Sequence, residues 1–150
     1  GMGAAAEAAA SEIGANTSKL VPVRDELITR LPAEIEDVIL TGHPGQRLPN
    51  HASFCIKYIE GEGLLLFLDQ HGIMAASGSA CTSGSLEPSH VLKAMQVPFT
   101  AMHGSVRFSL SRYNTDADVE HIVDVFPEIV LSLRRISPYW DVKGDRPRDE

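Results

Sequence analysis

Ser105-Val106-Arg107-Phe108-Ser109-Leu110 alternates without a break. In an extended chain Val106, Phe108 and Leu110 fall on one side, and Ser105, Arg107 and Ser109 on the other. Ser53 to Ile59 repeats the pattern, with Phe54, Ile56 and Tyr58 opposed to Ser53, Cys55 and Lys57. Strands of this kind belong to a sheet that covers a core on one face only. The second face, with Ser53, Lys57, Ser105, Arg107 and Ser109, is too polar for a core and is expected to meet a partner domain or a ligand.

Around these two strands the sequence alternates helix and strand signals. A helix is expected over Ser18 to Arg30, where Leu20, Leu27, Ile28 and Leu31 make one stripe, with Pro22 at a first turn or kink and Pro32 as its stop. Asp37 to Leu40 reads as a short strand, followed by a turn at Thr41 to Gly45. Glu62 to His71 holds Leu64, Leu65, Leu66, Phe67 and Leu68, apolar nearly all round, and reads as a buried helix closed by Gly72. Ile73 to Ala75 is a further short strand, and Pro88 fits the first turn of a helix to about Met95. Thr115 with Asp118 resembles a capping box. The helix behind it carries Val119, Ile122, Val123, Phe126, Val130 and Leu133, with a kink expected at Pro127. The predicted fold is therefore α/β in two layers, an α+β arrangement of a small mixed or antiparallel sheet with helices on one face. Residues 1–17 read as a flexible Ala-rich segment, 18–142 as the folded unit and 143–150 as a disordered tail.

The chain has 150 residues, 43% hydrophobic and 22% charged, with a net charge of -7. This suits one compact domain. The acidic balance argues against a nucleic-acid surface and against an anionic membrane surface, and no apolar run reaches the length of a span. No secretory signal is visible, and Gly1 before Met2 has the look of a residue left by removal of an expression tag. The two cysteines, Cys55 and Cys81, form no CxxC pair, so a reducing, cytoplasmic setting is expected. Six scattered histidines lack metal-ligand spacing, and no metal site is expected.

Ser77 to His90 has no periodicity and is rich in Ser and Gly. It places Cys81 between glycines, without apolar neighbours, in a loop that ends at a helix N-terminus. Backbone amides there favour an anion such as a thiolate. Two readings stand side by side: a mobile thiol poised for nucleophilic work, or an unremarkable loop cysteine. Arg107, the lone charge in its strand, likewise holds either an anionic ligand in two-point contact or an Asp or Glu of the chain itself. His103 and Asn50 are candidates for the periphery of a site, His103 with a structural role as its alternative. His90 reads as a surface residue, and Cys55 as a small semi-buried hydrophobe.

The string Ser77 to His90 resembles the active-site loop of cysteine desulfurases of the NifS and IscS type, in the class V aminotransferase family. Arg47-Leu48-Pro49-Asn50, Glu60-Gly61-Glu62, Ser105 to Leu110 and Arg112-Tyr113-Asn114-Thr115 resemble the same family in order and spacing, over roughly Val21 to Trp140. The resemblance implies the small, C-terminal domain of a pyridoxal-phosphate-dependent enzyme of fold type I. It implies that Cys81 takes sulfur from L-cysteine as a persulfide, leaving L-alanine, and passes it to acceptors for iron–sulfur or thio-cofactor assembly. It implies that Arg107 holds the substrate carboxylate. The lysine, histidine and aspartate that secure pyridoxal phosphate match nothing here; Lys19, Lys57, Lys93 and Lys143 all lie in other contexts. The cofactor is thus expected on a larger partner domain, dimerisation in the full-length enzyme, and the 150 residues alone are expected to be inactive. Competing readings are half of a selenocysteine lyase or another class V aminotransferase, and a stand-alone sulfur carrier or thiol sensor.

Overall fold

The structure is a computed structural model that describes residues 1–78, 88–141, 143 and 146–148. Its elements are α1 (Met2–Glu34), β1 (Val38–Leu40), β2 (His51–Ile56), α2 (Gly61–Gln70), α3 (His90–Ala94), α4 (Phe99–Met102), β3 (Ser105–Ser109), α5 (Asp116–Ile136), β4 (Trp140–Asp141) and β5 (Arg146–Pro147). The main sheet runs β1-β2-β3 and is antiparallel throughout. Of the two arrangements the sequence allows, mixed or antiparallel, the second is realised.

The alternation sorts Phe54, Ile56, Val106 and Phe108 to the core as expected, but β2 runs from His51 to Ile56 and not to Ile59, and Tyr58 lies beyond it at φ 68°. Ala52, Phe54, Ile56, Val106 and Phe108 are buried under α1, α2 and α5, which contribute Leu20, Leu27, Leu31, Leu64, Leu68, Ile122, Phe126 and Val130 to the same core. Phe108 is its aromatic hub, edge-on to both Phe54 and Phe126. Burying such side chains contributes about 2 kcal/mol each. The capping signal holds too: the Asp118 carboxylate accepts the Thr115 backbone N–H at 2.7 Å, and this bond above all lowers the Asp118 pKa.

Several expectations are corrected. Helix α1 begins at Met2, sixteen residues before Ser18, and runs through both Pro22 and Pro32 to Glu34. Alanine has the highest helix propensity, so the Ala-rich start continues the helix. Pro32 lies in the last turn, where its missing N–H matters least, and the Ile35 N–H closes the helix on the Leu31 carbonyl at 3.1 Å. The exposed first half is tied down by Arg112, which pairs with Glu12 at 2.5 Å and accepts from Lys19 on its carbonyl. Helix α2 is not buried all round: Leu64 and Leu68 are, but Leu66 is 59% exposed. The strand expected at Ile73 to Ala75 shrinks to a single bridge between Ala76 and Arg107. Pro88 precedes α3 instead of opening it, and Ser89 is the N-cap, its hydroxyl accepting the Val91 N–H. Helix α5 continues through Pro127 to Ile136. The described part of the tail is not without structure: β5 pairs with β4 beside Trp140, which is buried between the Tyr58 ring and the Arg134 guanidinium.

The helices are also not confined to one face. On the second face α3 and α4 place Leu92, Val97, Ala101 and Met102 over Cys55 and Ile39, forming a small separate cluster at one end of the sheet. These helices are too short for their apolar spacing to stand out in the sequence. The junction between α4 and β3 is tight, because a Cβ on Gly104 would come within 2.1 Å of the Ile56 carbonyl oxygen. Gly104→Ala is expected to destabilise the protein by about 3 kcal/mol, read as a lower midpoint in urea unfolding. An unchanged midpoint would show that the junction yields freely.

Candidate functional site

Arg107 sits mid-strand in β3 on the second sheet face, directly across from Ser53. The registers give it Ser105 and Ser109 along its own strand and His51, across from Ser109, on the diagonal. Diagonal neighbours on one face have Cα atoms about 7–8 Å apart, within reach of long side chains. Ser53 in turn accepts from the Thr41 hydroxyl, through its carbonyl at 3.0 Å and its own hydroxyl at 2.7 Å. The row Thr41–Ser53–Arg107 thus crosses the sheet with small polar side chains leading up to one guanidinium.

On the outer side of β3 the chain leading into the Ser/Gly-rich segment is pinned at the same residue. Arg107 N–H donates to Ala76 at 2.7 Å, and Ala76 N–H donates back at 3.1 Å. The Ser105 hydroxyl donates to the Ser77 carbonyl, and Arg107 Nη2 to the Gly78 carbonyl at 3.3 Å. Gly61 makes room for this segment, since a Cβ there would crowd the His103 and Ser105 carbonyls at 2.9 and 3.1 Å and the Ser77 side chain at 3.3 Å. Cys81 lies outside the described residues, three positions beyond Gly78.

Of the two roles open to Arg107 from sequence, an internal ion pair is not realised: among the described residues no carboxylate pairs with it. Arg24, Arg30 and Arg112 all have acidic partners. A half-buried guanidinium with one long hydrogen bond and no counter-charge is set for an anion.

Arg47 extends the positive character, with His51 beside it. Arg47 clamps the loop between β1 and β2, donating from Nε to His43 at 3.0 Å, from Nη1 to His51 at 3.4 Å and from Nη2 to Thr41 at 3.1 Å, each time to a backbone carbonyl. Three of its five N–H donors are so used, and its charge remains. Thr41, Gly42, His43, Gln46, Arg47, Leu48 and His51 surround an open cleft of about 650 Å³. Burial, then the charges of Arg107 and Arg47, lower the His51 pKa. Sequence reading passed over His51, although it stands two residues before Ser53 and therefore on the Ser53 face.

Asn50 adjoins His51 at one end of β3, and His103 stands at the other. The Asn50 amide donates to the Leu110 carbonyl at 3.1 Å while Leu110 N–H donates to Asn50 at 2.8 Å, so Asn50 extends the β2–β3 ladder. His103 stands beyond the other end of β3, edge-on to Phe99 with ring centres 4.8 Å apart, and its carbonyl receives the Gly61 N–H. Its Nε2 is buried without a hydrogen-bond partner among the described residues. Cys55 is fully buried, and burial pushes its thiol up to about 11. Lys57 is held by Asp37 at 2.8 Å and Lys19 by the Arg112 carbonyl. Among the described residues no lysine is a strand-register neighbour of Arg107. Among the described residues no three metal-ligating side chains gather, and no helix is long and apolar enough to cross a membrane.

An antiparallel sheet backed by three helices thus holds an outward-facing arginine against Ala76 and Gly78. The chain belongs to the aminotransferase class-V family, whose model matches residues 1–122. It is 52% identical over 141 residues to a cysteine desulfurase of Gluconacetobacter diazotrophicus and 49% identical over 144 residues to the cysteine desulfurase NifS of Azotobacter vinelandii. Those matches take in 94% and 96% of this chain but 35% and 36% of the relatives, so the chain spans about a third of their length. Among solved structures it is similar to a NifS-like protein from Rickettsia africae, with a TM-score of 0.68 and 29% identity, over 80% of this chain and 30% of that one. A second NifS-like protein superposes with a TM-score of 0.70 at 26% identity, over 85% of this chain and 31% of that one.

Proposed function

We propose that this chain is the sulfur-receiving part of a cysteine desulfurase, with Cys81 as the acceptor thiol and Arg107 as the anchor for the substrate carboxylate. The observation that carries this reading is the pinning of Ala76 to Gly78 against Arg107. Covalent geometry limits Cys81 to about 11 Å from Gly78, whatever path the loop takes. That reach supports a reading in which the acceptor thiol works within range of the carboxylate anchor, as sulfur transfer from a bound amino acid requires.

The net reaction balances. An enzyme thiol and L-cysteine give an enzyme persulfide and L-alanine; a sulfur–sulfur bond forms as the carbon–sulfur bond of the substrate breaks. Pyridoxal phosphate, on which the family depends, supplies the activation of that bond and comes from a part of the enzyme beyond these residues. The chain's own contribution is twofold. Arg107 orients the amino acid through two-point contact with its carboxylate, and Cys81 takes the sulfur, then carries it to an acceptor protein for iron–sulfur or thio-cofactor assembly. A dimeric enzyme and a reducing, cytoplasmic setting belong to the same reading.

The test is direct. This sequence within a full-length desulfurase is treated with L-cysteine, its thiols are alkylated, and its peptides are weighed. The Cys81 peptide is expected to carry one additional sulfur and the Cys55 peptide none. Sulfur on Cys55, or on neither, would overturn the assignment.

A further inference from the structure

We infer that His51 is a second substrate-binding residue, closing with Arg107 a two-point cationic clamp on the carboxylate of an amino-acid substrate. This rests on the carboxylate role proposed for Arg107 and extends it to a residue that the alternation of β2 places beside it. His51 opposes Ser109 and Arg107 opposes Ser53, so the imidazole and the guanidinium lie diagonally across one polar sheet face. His51 is half-buried and also forms one wall of the open cleft between β1 and β2. Across that diagonal a carboxylate held at Arg107 comes within reach of the imidazole.

The charges around His51 make it responsive. Arg107 from β3 and Arg47 from the loop both disfavour its charged form, and only its own backbone oxygen favours it. His43, on the same loop, has Nδ1 occupied by the N–H groups of Gly45 and Gln46. Behind Arg47, α1 supplies Arg24, which also donates to the Leu48 carbonyl, and Asp25, which Arg24 holds at 2.6 Å. No free acid faces His51 among these groups. A bound carboxylate brings the missing negative charge, so binding favours the protonated ring and takes up a proton. The sign follows: affinity is greatest at low pH and falls as pH rises through the value His51 has in the complex.

The experiment measures the dissociation constant of L-alanine by equilibrium dialysis, with the full-length enzyme carrying this sequence, between about pH 5.5 and about pH 7.5. L-alanine keeps the carboxylate and removes sulfur chemistry from the readout. The wild-type constant is expected to rise with pH. In His51→Gln this slope should vanish. In His51→Ala affinity at the acid end should fall about tenfold, the worth of one charge-assisted hydrogen bond. Both variants keeping the wild-type constant and slope would overturn the inference while leaving the desulfurase reading intact. An enzyme that neither binds L-alanine nor turns over L-cysteine would overturn both.

Discussion

Cys81→Ala, made in a full-length desulfurase carrying this sequence, is expected to lower sulfur release from L-cysteine by at least about three orders of magnitude. Every atom of sulfur must pass through one thiol in the proposed reaction, and alanine has nothing to attack with. The loss should fall on turnover alone. Arg107 and the serines around it lie on the sheet, and the backbone bonds between Arg107 and Ala76 stand five residues from the substitution. The affinity for L-alanine should therefore stay at the wild-type value. Sulfide or persulfide formation at the wild-type rate would remove Cys81 from the mechanism.

Cys55 supplies the control. Its thiol is sealed beneath Leu92, Val97, Ala101 and Met102, and burial raises its pKa to about 11. At pH 7 only about one such thiol in ten thousand is ionised. A persulfide there would also need space that the cluster does not offer. Cys55→Ala is thus expected to keep turnover within about twofold, at a modest cost in stability.

The contrast between the two cysteines shows what the sequence could and could not disclose. Strict alternation made the faces of β2 and β3 legible, because a period of two allows only one sorting of Val106, Phe108, Ser105 and Arg107. The capping box at Thr115 was legible for a similar reason: it is a local contact between residues three apart. The cover over Cys55 was not, since it comes from helices of five and four residues whose burial depends on tertiary packing. Leu66 misled in the opposite direction: a run of five apolar residues looks buried all round, yet one side of α2 meets no partner among the described residues. The prolines of α1 misled as well: Pro32 falls in the last turn, and packing of α1 against α5 carries the helix through Pro22 in its interior. At the site, Arg107 stood out in the sequence as the lone charge of its strand. Its lack of an acidic partner and its tie to Gly78 are tertiary facts that only the structure discloses. His51 lay within reach of the same alternation rule, two residues from Ser53, but stood at the edge of the strand where polar residues draw little notice.

Arg107→Ala should act on binding where Cys81→Ala acts on chemistry. Losing a half-buried, two-point carboxylate contact is expected to raise the KM for L-cysteine about a hundredfold, with a smaller fall in kcat. Arg107→Lys should recover only part of this, because an ammonium gives one point of attraction where the guanidinium fork gives two. A purely structural arginine would behave otherwise, unfolding the protein on removal. Here the side chain makes one hydrogen bond, at 3.3 Å to Gly78, and no ion pair among the described residues, so its loss should cost little stability. It should even relieve His51, whose charged form Arg107 disfavours. The imidazole pKa of His51, followed by NMR, is accordingly expected to rise in Arg107→Ala. A large drop in the unfolding midpoint with an unchanged KM would assign Arg107 to the scaffold. A raised KM, an unchanged midpoint and a raised His51 pKa together would place the carboxylate between these two side chains.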